Sequence, residues 1–208
     1  PILRGRDVCR YGYEWANLWI INTHNGIKGD LERIRIEDYP AIKQHLDKYW
    51  DKIEPRADQG DTAYNLRNCA YLDEFSKPKI IYPNMTKFLP FVYDRSGVMT
   101  NQKCFIITGT HLEYLTAFFN SSLFKFCFAD RFPELQGKTR ELSKIFMDEI
   151  SILKINDTDE CMINKLVQDI QMEYSVNKAK RIDKFIFDLY HLSIEEQMYI
   201  GFIDYGEK

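Results

Sequence analysis

The chain has 208 residues, of which 45% are apolar and 14% aromatic, and a formal net charge of −3. That length holds one sizeable domain, or one domain with a helical appendage, and the composition excludes a disordered chain. The acidic balance runs against a nucleic-acid binder, because phosphate contacts leave a basic imprint, although a local basic face can coexist with an acidic whole.

Cys9, Cys69, Cys104, Cys127 and Cys161 are odd in number and not closely paired, so neither a disulfide framework nor a zinc knuckle is indicated. Most of them are expected to be small core hydrophobes, reduced in a cytoplasm. The longest apolar run, Leu112 to Ala129, is broken by Glu113, Asn120, Ser121, Ser122 and Lys125, too polar to span a bilayer. A soluble protein is the expectation. The opening at Pro1 rather than a start methionine suggests a piece of a longer polypeptide.

In chain order, Trp19 to Asn22 reads as a short buried strand that ends in the turn signal Thr23-His24-Asn25-Gly26. Pro40 suits a first helical position, and Ile42, Leu46, Tyr49, Trp50 and Ile53 form one helical face that closes at Pro55. A polar loop follows, in which Arg56, Asp58, Gln59, Asp61, Tyr64, Asn65, Arg67 and Asn68 crowd together. Arginine can grip guanine with two parallel bonds, Asn or Gln can do the same for adenine, and Asp can accept from cytosine. The same composition fits a solvated connecting loop, since Gly60 and Asp61 are ordinary turn formers.

Lys79 to Tyr82, Phe88 to Tyr93 and Cys104 to Thr108 are β-rich runs separated by turn chemistry, from which Lys87 and Arg95 would project. His111 to Phe119 reads as a helix that pauses at Asn120-Ser121-Ser122 and resumes to about Ala129. Its phenylalanines, Phe118, Phe119, Phe124, Phe126 and Phe128, are read as a packing set rather than a base-stacking platform. Arg131 to Arg140 is a second polar loop, with Arg131, Gln136, Lys138 and Arg140 around Pro133 and Gly137; it too fits either a DNA surface or a solvated turn.

After Ile155, Asn156 to Asp159 caps a helix with the face Ile163, Leu166, Val167 and Ile170, and Ile182, Phe185, Ile186 and Leu189 form the face of the next. Ser193 and Glu196 make a capping box for a last short helix. The expected fold is therefore α+β: a small, mainly antiparallel sheet with packed helices over residues 1–155, then a C-terminal helical support segment over 156–208.

Several of these stretches share a family likeness. Arg56, Asp58, Gly60, Tyr64, Leu66 and Arg67, with the Lys77 to Pro83 run, resemble the TaqI-like C-terminal specificity domain of adenine-N6 DNA methyltransferases and single-chain (type IIG) restriction-modification enzymes. Pro1 to Val8, PILRGRDV, is similar to the run that in this family leaves the methyltransferase domain and enters the specificity domain. Tyr114 to Leu123 resembles the family's Leu-Leu-Asn-Ser helix junction, and Arg181 to Gln197 resembles the ending of many of these enzymes.

None of these motifs is catalytic, so the resemblance implies binding of double-stranded DNA, with no chemistry in this chain. Loop composition and the resemblance together place Arg56, Gln59, Tyr64, Asn65, Arg67, Asn68, Lys79, Asn84, Lys87, Arg95, Arg131, Gln136, Lys138 and Arg140 at the DNA, with Lys77, Lys79, Lys87 and Arg95 on phosphates. The family's Asn/Asp-Pro-Pro-Tyr/Phe motif is absent, as are Gly-rich phosphate loops and HExxH. The parent chain implied is an adenine-N6 methyltransferase, with or without a nuclease. S-adenosylmethionine, and magnesium where a nuclease is present, would be bound there rather than in this fragment. The reading from a different class is a protein-interaction module that docks a partner subunit or domain, which the acidic balance fits better.

Overall fold

The computed structural model describes residues 1–87, 90–128, 131–135 and 139–203. It is α+β and divides into two compact units: Pro1–Leu18 with Ser76–Lys208, and Trp19–Phe75. β1 (Ile2–Leu3), β2 (Val8–Cys9) and β3 (Gly12–Tyr13) open the first unit; α1 (Pro40–Asp47) and α2 (Trp50–Ile53) lie in the second. Back in the first unit come β4 (Lys79–Pro83), β5 (Met85–Thr86), β6 (Val92–Asp94), β7 (Met99–Thr100) and β8 (Cys104–Thr108). Then follow α3 (Leu112–Phe119), α4 (Ser122–Phe128), β9 (Glu134–Leu135), β10 (Thr139–Glu141), α5 (Lys144–Met147), α6 (Asp157–Met172), α7 (Val176–Leu189) and α8 (Ile194–Ile200).

The first unit is built on β4, the centre of an antiparallel sheet ordered β6-β4-β8. All five of its residues are buried, so its sequence is a continuous β-branched and aromatic run rather than an alternating one. Successive side chains still point to opposite faces. Ile80 and Tyr82 join the main core with Phe91, Phe118, Phe119 and Phe124, and this core extends to Ile163, Val167 and Ile170 of α6 and Ile182 and Ile186 of α7. Ile81 instead packs with Leu3, Val8, Val92, Val98 and Cys104. Truncating a buried Phe such as Phe124 costs about 3–5 kcal/mol.

Buried polar groups tie the helices to the sheet. The pause Asn120-Ser121-Ser122 is fully buried. The Asn120 side chain imitates a strand partner: its Oδ1 accepts from the Phe91 N–H at 3.1 Å and its Nδ2 donates to the Phe91 carbonyl at 2.8 Å. Arg10 donates to the Asn120 carbonyl at 2.6 Å. Ser122 donates from its N–H and its hydroxyl to the Asp183 carboxylate at 2.8 and 2.5 Å. Gln171 exchanges both bonds with the Tyr93 backbone, at 3.0 and 2.9 Å, which fastens α6 to β6. Burial pushes the Asp183 carboxyl above its ordinary range, against the opposing pull of the Ser122 bonds and the Arg10 charge.

The Arg4-Gly5-Arg6-Asp7 run makes a second fixed point. Arg4 Nε and Nη2 donate to the Asp7 carboxylate, and the Arg4 N–H caps it as well at 2.8 Å. Those bonds hold the Asp7 carboxyl below its ordinary range. A Cβ on Gly5 would meet the Lys103 carbonyl oxygen at 2.9 Å, so only glycine permits this approach to the start of β8.

The second unit is sparse in regular structure, and its centre is largely polar: Thr23 and Asn65 are buried there beside Ile36 and Phe75. Asn65 Nδ2 donates to the Ile34 carbonyl at 2.9 Å and approaches the His24 carbonyl at 3.4 Å, while its Oδ1 accepts from the Thr62 hydroxyl at 2.7 Å. Thr23 donates its hydroxyl to the Tyr64 carbonyl at 2.7 Å, and the Leu66 N–H returns to the Thr23 carbonyl at 2.8 Å.

Four expectations are corrected. Trp19 to Asn22 is not a strand: Trp19 is 69% exposed, and the Thr23 N–H bonds the Ile21 carbonyl, a local turn in place of a ladder. The helix expected from Pro40 to Ile53 breaks at Tyr49, whose φ of −117° and ψ of 20° leave the helical region. By contacts, α6 and α7 of the C-terminal helical segment complete the main core of the sheet unit, and Trp19–Phe75 forms the other compact unit. Of the cysteines, Cys104 is buried but Cys127 and Cys161 are exposed on helices, and all are free thiols. The second polar stretch is not only loop, since β9 and β10 pair with each other and β10 pairs with β5.

Candidate nucleic-acid interface

The polar segment that follows α2 sorts its side chains into a scaffold and an outer set. Arg56 is spent inward: Nη2 donates to the carbonyls of Ala63 and Asn65 at 2.8 and 3.2 Å, closing the base of the loop. Tyr64 is pinned by its hydroxyl, which donates to Asp47 at 2.6 Å, and by its ring, 5.1 Å from that of Trp50. Asn65 is 1% exposed and belongs to the interior. These three planar or aromatic groups hold the loop's shape; Arg56 and Tyr64 stay half-exposed, whereas the buried Asn65 side chain is out of reach of a base.

Gln59, Arg67 and Asn68 are exposed. Gln59 and Leu66 form an antiparallel bridge, so the segment folds back as a narrow hairpin-like loop. Gly60 allows that closure, because a Cβ there would meet Asn25 Oδ1 at 2.5 Å and the Leu66 carbonyl oxygen at 2.6 Å. Asp58 accepts from one arm of the Arg67 guanidinium at 3.2 Å, with side-chain exposures of 78% and 72%. Such a pair contributes little stability but orients the fork outward. The result is an arginine, a glutamine and an asparagine displayed on a braced loop, the side chains that read guanine and adenine edges.

Asn25 was missed by sequence reasoning. Its Oδ1 accepts from the Asp61 N–H at 2.8 Å, and its Nδ2 donates to Asp61 Oδ1 at 2.9 Å and to Asn68 Oδ1. Asn25-Gly26 carries a turn signal, and nothing local announces partners 36 and 43 residues away. Beside it, an open cleft of about 890 Å³ runs between residues 25–33 and 68–70, with Lys28 and Arg33 on its wall together with Asp30, Glu32 and Asp61.

In the sheet unit the assigned cations divide the same way. Lys79 is corrected: its side chain is 0% exposed and its ammonium lies 2.5 Å from Asp94 Oδ2, because register places the two opposite each other on β4 and β6. It is a core cation, unavailable to a phosphate. Arg140 donates to the Phe132 carbonyl at 2.9 Å and lies 3.5 Å from Glu134, which binds it into its own hairpin. Lys87, Arg95 and Arg131 are exposed, Arg95 over the Tyr93 ring at 5.5 Å and Arg131 over the Phe128 ring at 5.9 Å. Asn84 is half-buried; its N–H donates to the Lys103 carbonyl at 2.8 Å. Gln136 and Lys138 lie outside the described residues. Among the described residues no group of three or more His, Cys, Asp or Glu side chains is placed to hold a metal ion, and no helix is long and apolar enough to cross a membrane.

The geometry thus comprises an α+β sheet unit and, in the second unit, a braced loop that displays Gln59, Arg67 and Asn68. The profile of the TaqI-like C-terminal specificity domain matches residues 1–152, and the chain belongs to that family. Membership supports a DNA-recognition role in restriction-modification enzymes, and a specificity domain is not itself catalytic. No curated protein matches the chain.

Proposed function

We propose that this chain is the DNA target-recognition domain of a type IIG endonuclease or adenine-N6 methyltransferase, and that it positions double-stranded DNA for a methyltransferase domain of the same parent chain. S-adenosylmethionine, and magnesium where a nuclease is present, act in that catalytic part. The observation that carries the reading is the sorting of the 56–68 loop, with Arg56, Tyr64 and Asn65 bound inward while Gln59, Arg67 and Asn68 face out, in a member of the specificity-domain family. Phosphate contacts position such a domain, and base contacts specify the sequence.

The test compares two substitutions in the parent enzyme. Arg67→Ala costs about 1–3 kcal/mol on the cognate site and relaxes discrimination at one base pair. Lys87→Ala weakens all sequences alike and lowers the salt dependence. Unaltered cognate binding in both variants rules the assignment out.

One observation favours the second reading, that a partner domain docks on this chain. Ile194, Met198 and Tyr199 of α8 are 74%, 78% and 80% exposed, with the Phe126 ring against Tyr199 at 5.7 Å. Association that does not respond to added duplex, seen by ultracentrifugation, would support it.

A further inference from the structure

The two arginines of the Arg4-Gly5-Arg6-Asp7 run face different tasks. Arg4 is consumed by Asp7. Arg6 is exposed, and the Gly5 approach fixes its backbone beside Lys103, whose side chain is exposed as well. The Lys103 carbonyl also receives the Asn84 N–H at 2.8 Å, which brings the end of β4 to the same place, and Lys87 follows three residues on, exposed, beyond β5. One end of the β4–β8 pair therefore brings Arg6 and Lys103 together, with Lys87 four residues along the chain from the end of β4. Among the described residues none of the three is in an ion pair, whereas Arg4, Lys43, Arg67, Lys79, Arg140, Lys144, Lys178 and Lys184 each are. The neighbouring acids are Asp7, buried and bonded to Arg4 with Arg6 also acting on its charge, the exposed Glu14, whose N–H bonds the Asp7 carbonyl at 2.7 Å, and Glu141, opposite Met85 on β10.

In a chain of net charge −3, cations left unpaired at one end of a rigid sheet are a local basic face. We infer that Arg6 and Lys103 form a backbone-phosphate site, adjoining Lys87, that holds duplex DNA without regard to sequence. This rests on the DNA-recognition reading and adds two residues to it. The site sits on strand ends and a glycine-fixed turn, so its cations are presented in a set geometry rather than on a mobile tail.

The experiment measures binding of the parent enzyme to a mixed-sequence duplex by anisotropy between about 50 and 200 mM salt. The Arg6→Ala/Lys103→Ala double variant is expected to bind more weakly on every sequence and to show a salt slope smaller by about 2, at roughly 0.9 per phosphate contact. Arg6→Lys/Lys103→Arg retains the slope, and Lys103→Glu, which leaves the Arg4–Asp7 clamp untouched, lowers it if the double variant folds poorly. A double variant that melts like the wild type and keeps its slope overturns the phosphate site while leaving the reading of the 56–68 loop intact. A wild-type enzyme that binds no duplex at low salt overturns both.

Discussion

Lys79 and Asp94 face each other across β4 and β6 with Nζ 2.5 Å from Oδ2, and neither side chain is more than 3% exposed. Asp94 also accepts from the Ser96 N–H and hydroxyl and from the Val98 N–H, so the pair closes the turn after β6 as well as the sheet. Removing one partner of a buried, hydrogen-bonded pair strands the other charge and costs about 3–5 kcal/mol. Lys79→Met is therefore expected to lower the denaturation free energy by that amount, while the folded fraction keeps its DNA affinity. A fall in affinity at unchanged stability would instead restore Lys79 to the DNA surface.

Gly60→Ala tests the brace of the reading loop. The added methyl has no room between Asn25 and the Leu66 carbonyl, so the loop must open. Discrimination between duplex sequences should fall as far as in Arg67→Ala, although Gly60 carries no side chain to contact a base. Amide exchange should speed up at Asp61, whose N–H is held by Asn25, and at Leu66, whose N–H is held by Thr23.

Asn65→Ala leaves the Thr62 hydroxyl and the Ile34 carbonyl without their partner in the interior. A buried polar group left unsatisfied costs about 1–3 kcal/mol. The expected result is lower stability of the Trp19–Phe75 unit, seen in urea unfolding, whereas Asn68→Ala, at the surface, leaves stability nearly unchanged.

Two carboxylates give opposite pH signatures. The Arg4 bonds hold Asp7 below its ordinary 3.8, so its stabilisation is present above that pH and is lost as pH falls through the depressed value. Burial raises Asp183 above 3.8, so its contribution is full below that pH and declines as pH rises through the elevated value. Urea midpoints measured from about pH 2 to 8 should show Asp7→Asn flattening the acid limb and Asp183→Asn flattening the decline above 3.8.

The elements with strong periodicity were legible. The Asn156 cap, the Ile163, Val167 and Ile170 face, the Ser193–Glu196 box and the β4 and β8 runs stand where the sequence places them. Each rests on a pattern contained within one element. Readings that depend on distant partners were not legible. Lys79 looks like a strand-flanking surface cation until the register sets Asp94 opposite it, 15 residues away. Trp19 to Asn22 has strand composition but, among the described residues, no strand that pairs with it. In the 56–68 loop composition cannot sort the side chains, since Asn65 and Asn68 are chemically identical. Only the fold separates the one that bonds Ile34 from the one at the surface.

The most direct measurement selects bound duplexes from a randomised pool at low salt with the parent enzyme and sequences what is retained. Enrichment of a short motif that disappears in Arg67→Ala and persists, at lower affinity, in Lys87→Ala is the result expected of a recognition domain that reads through its 56–68 loop. A pool that comes back unenriched, or a motif untouched by Arg67→Ala, contradicts it.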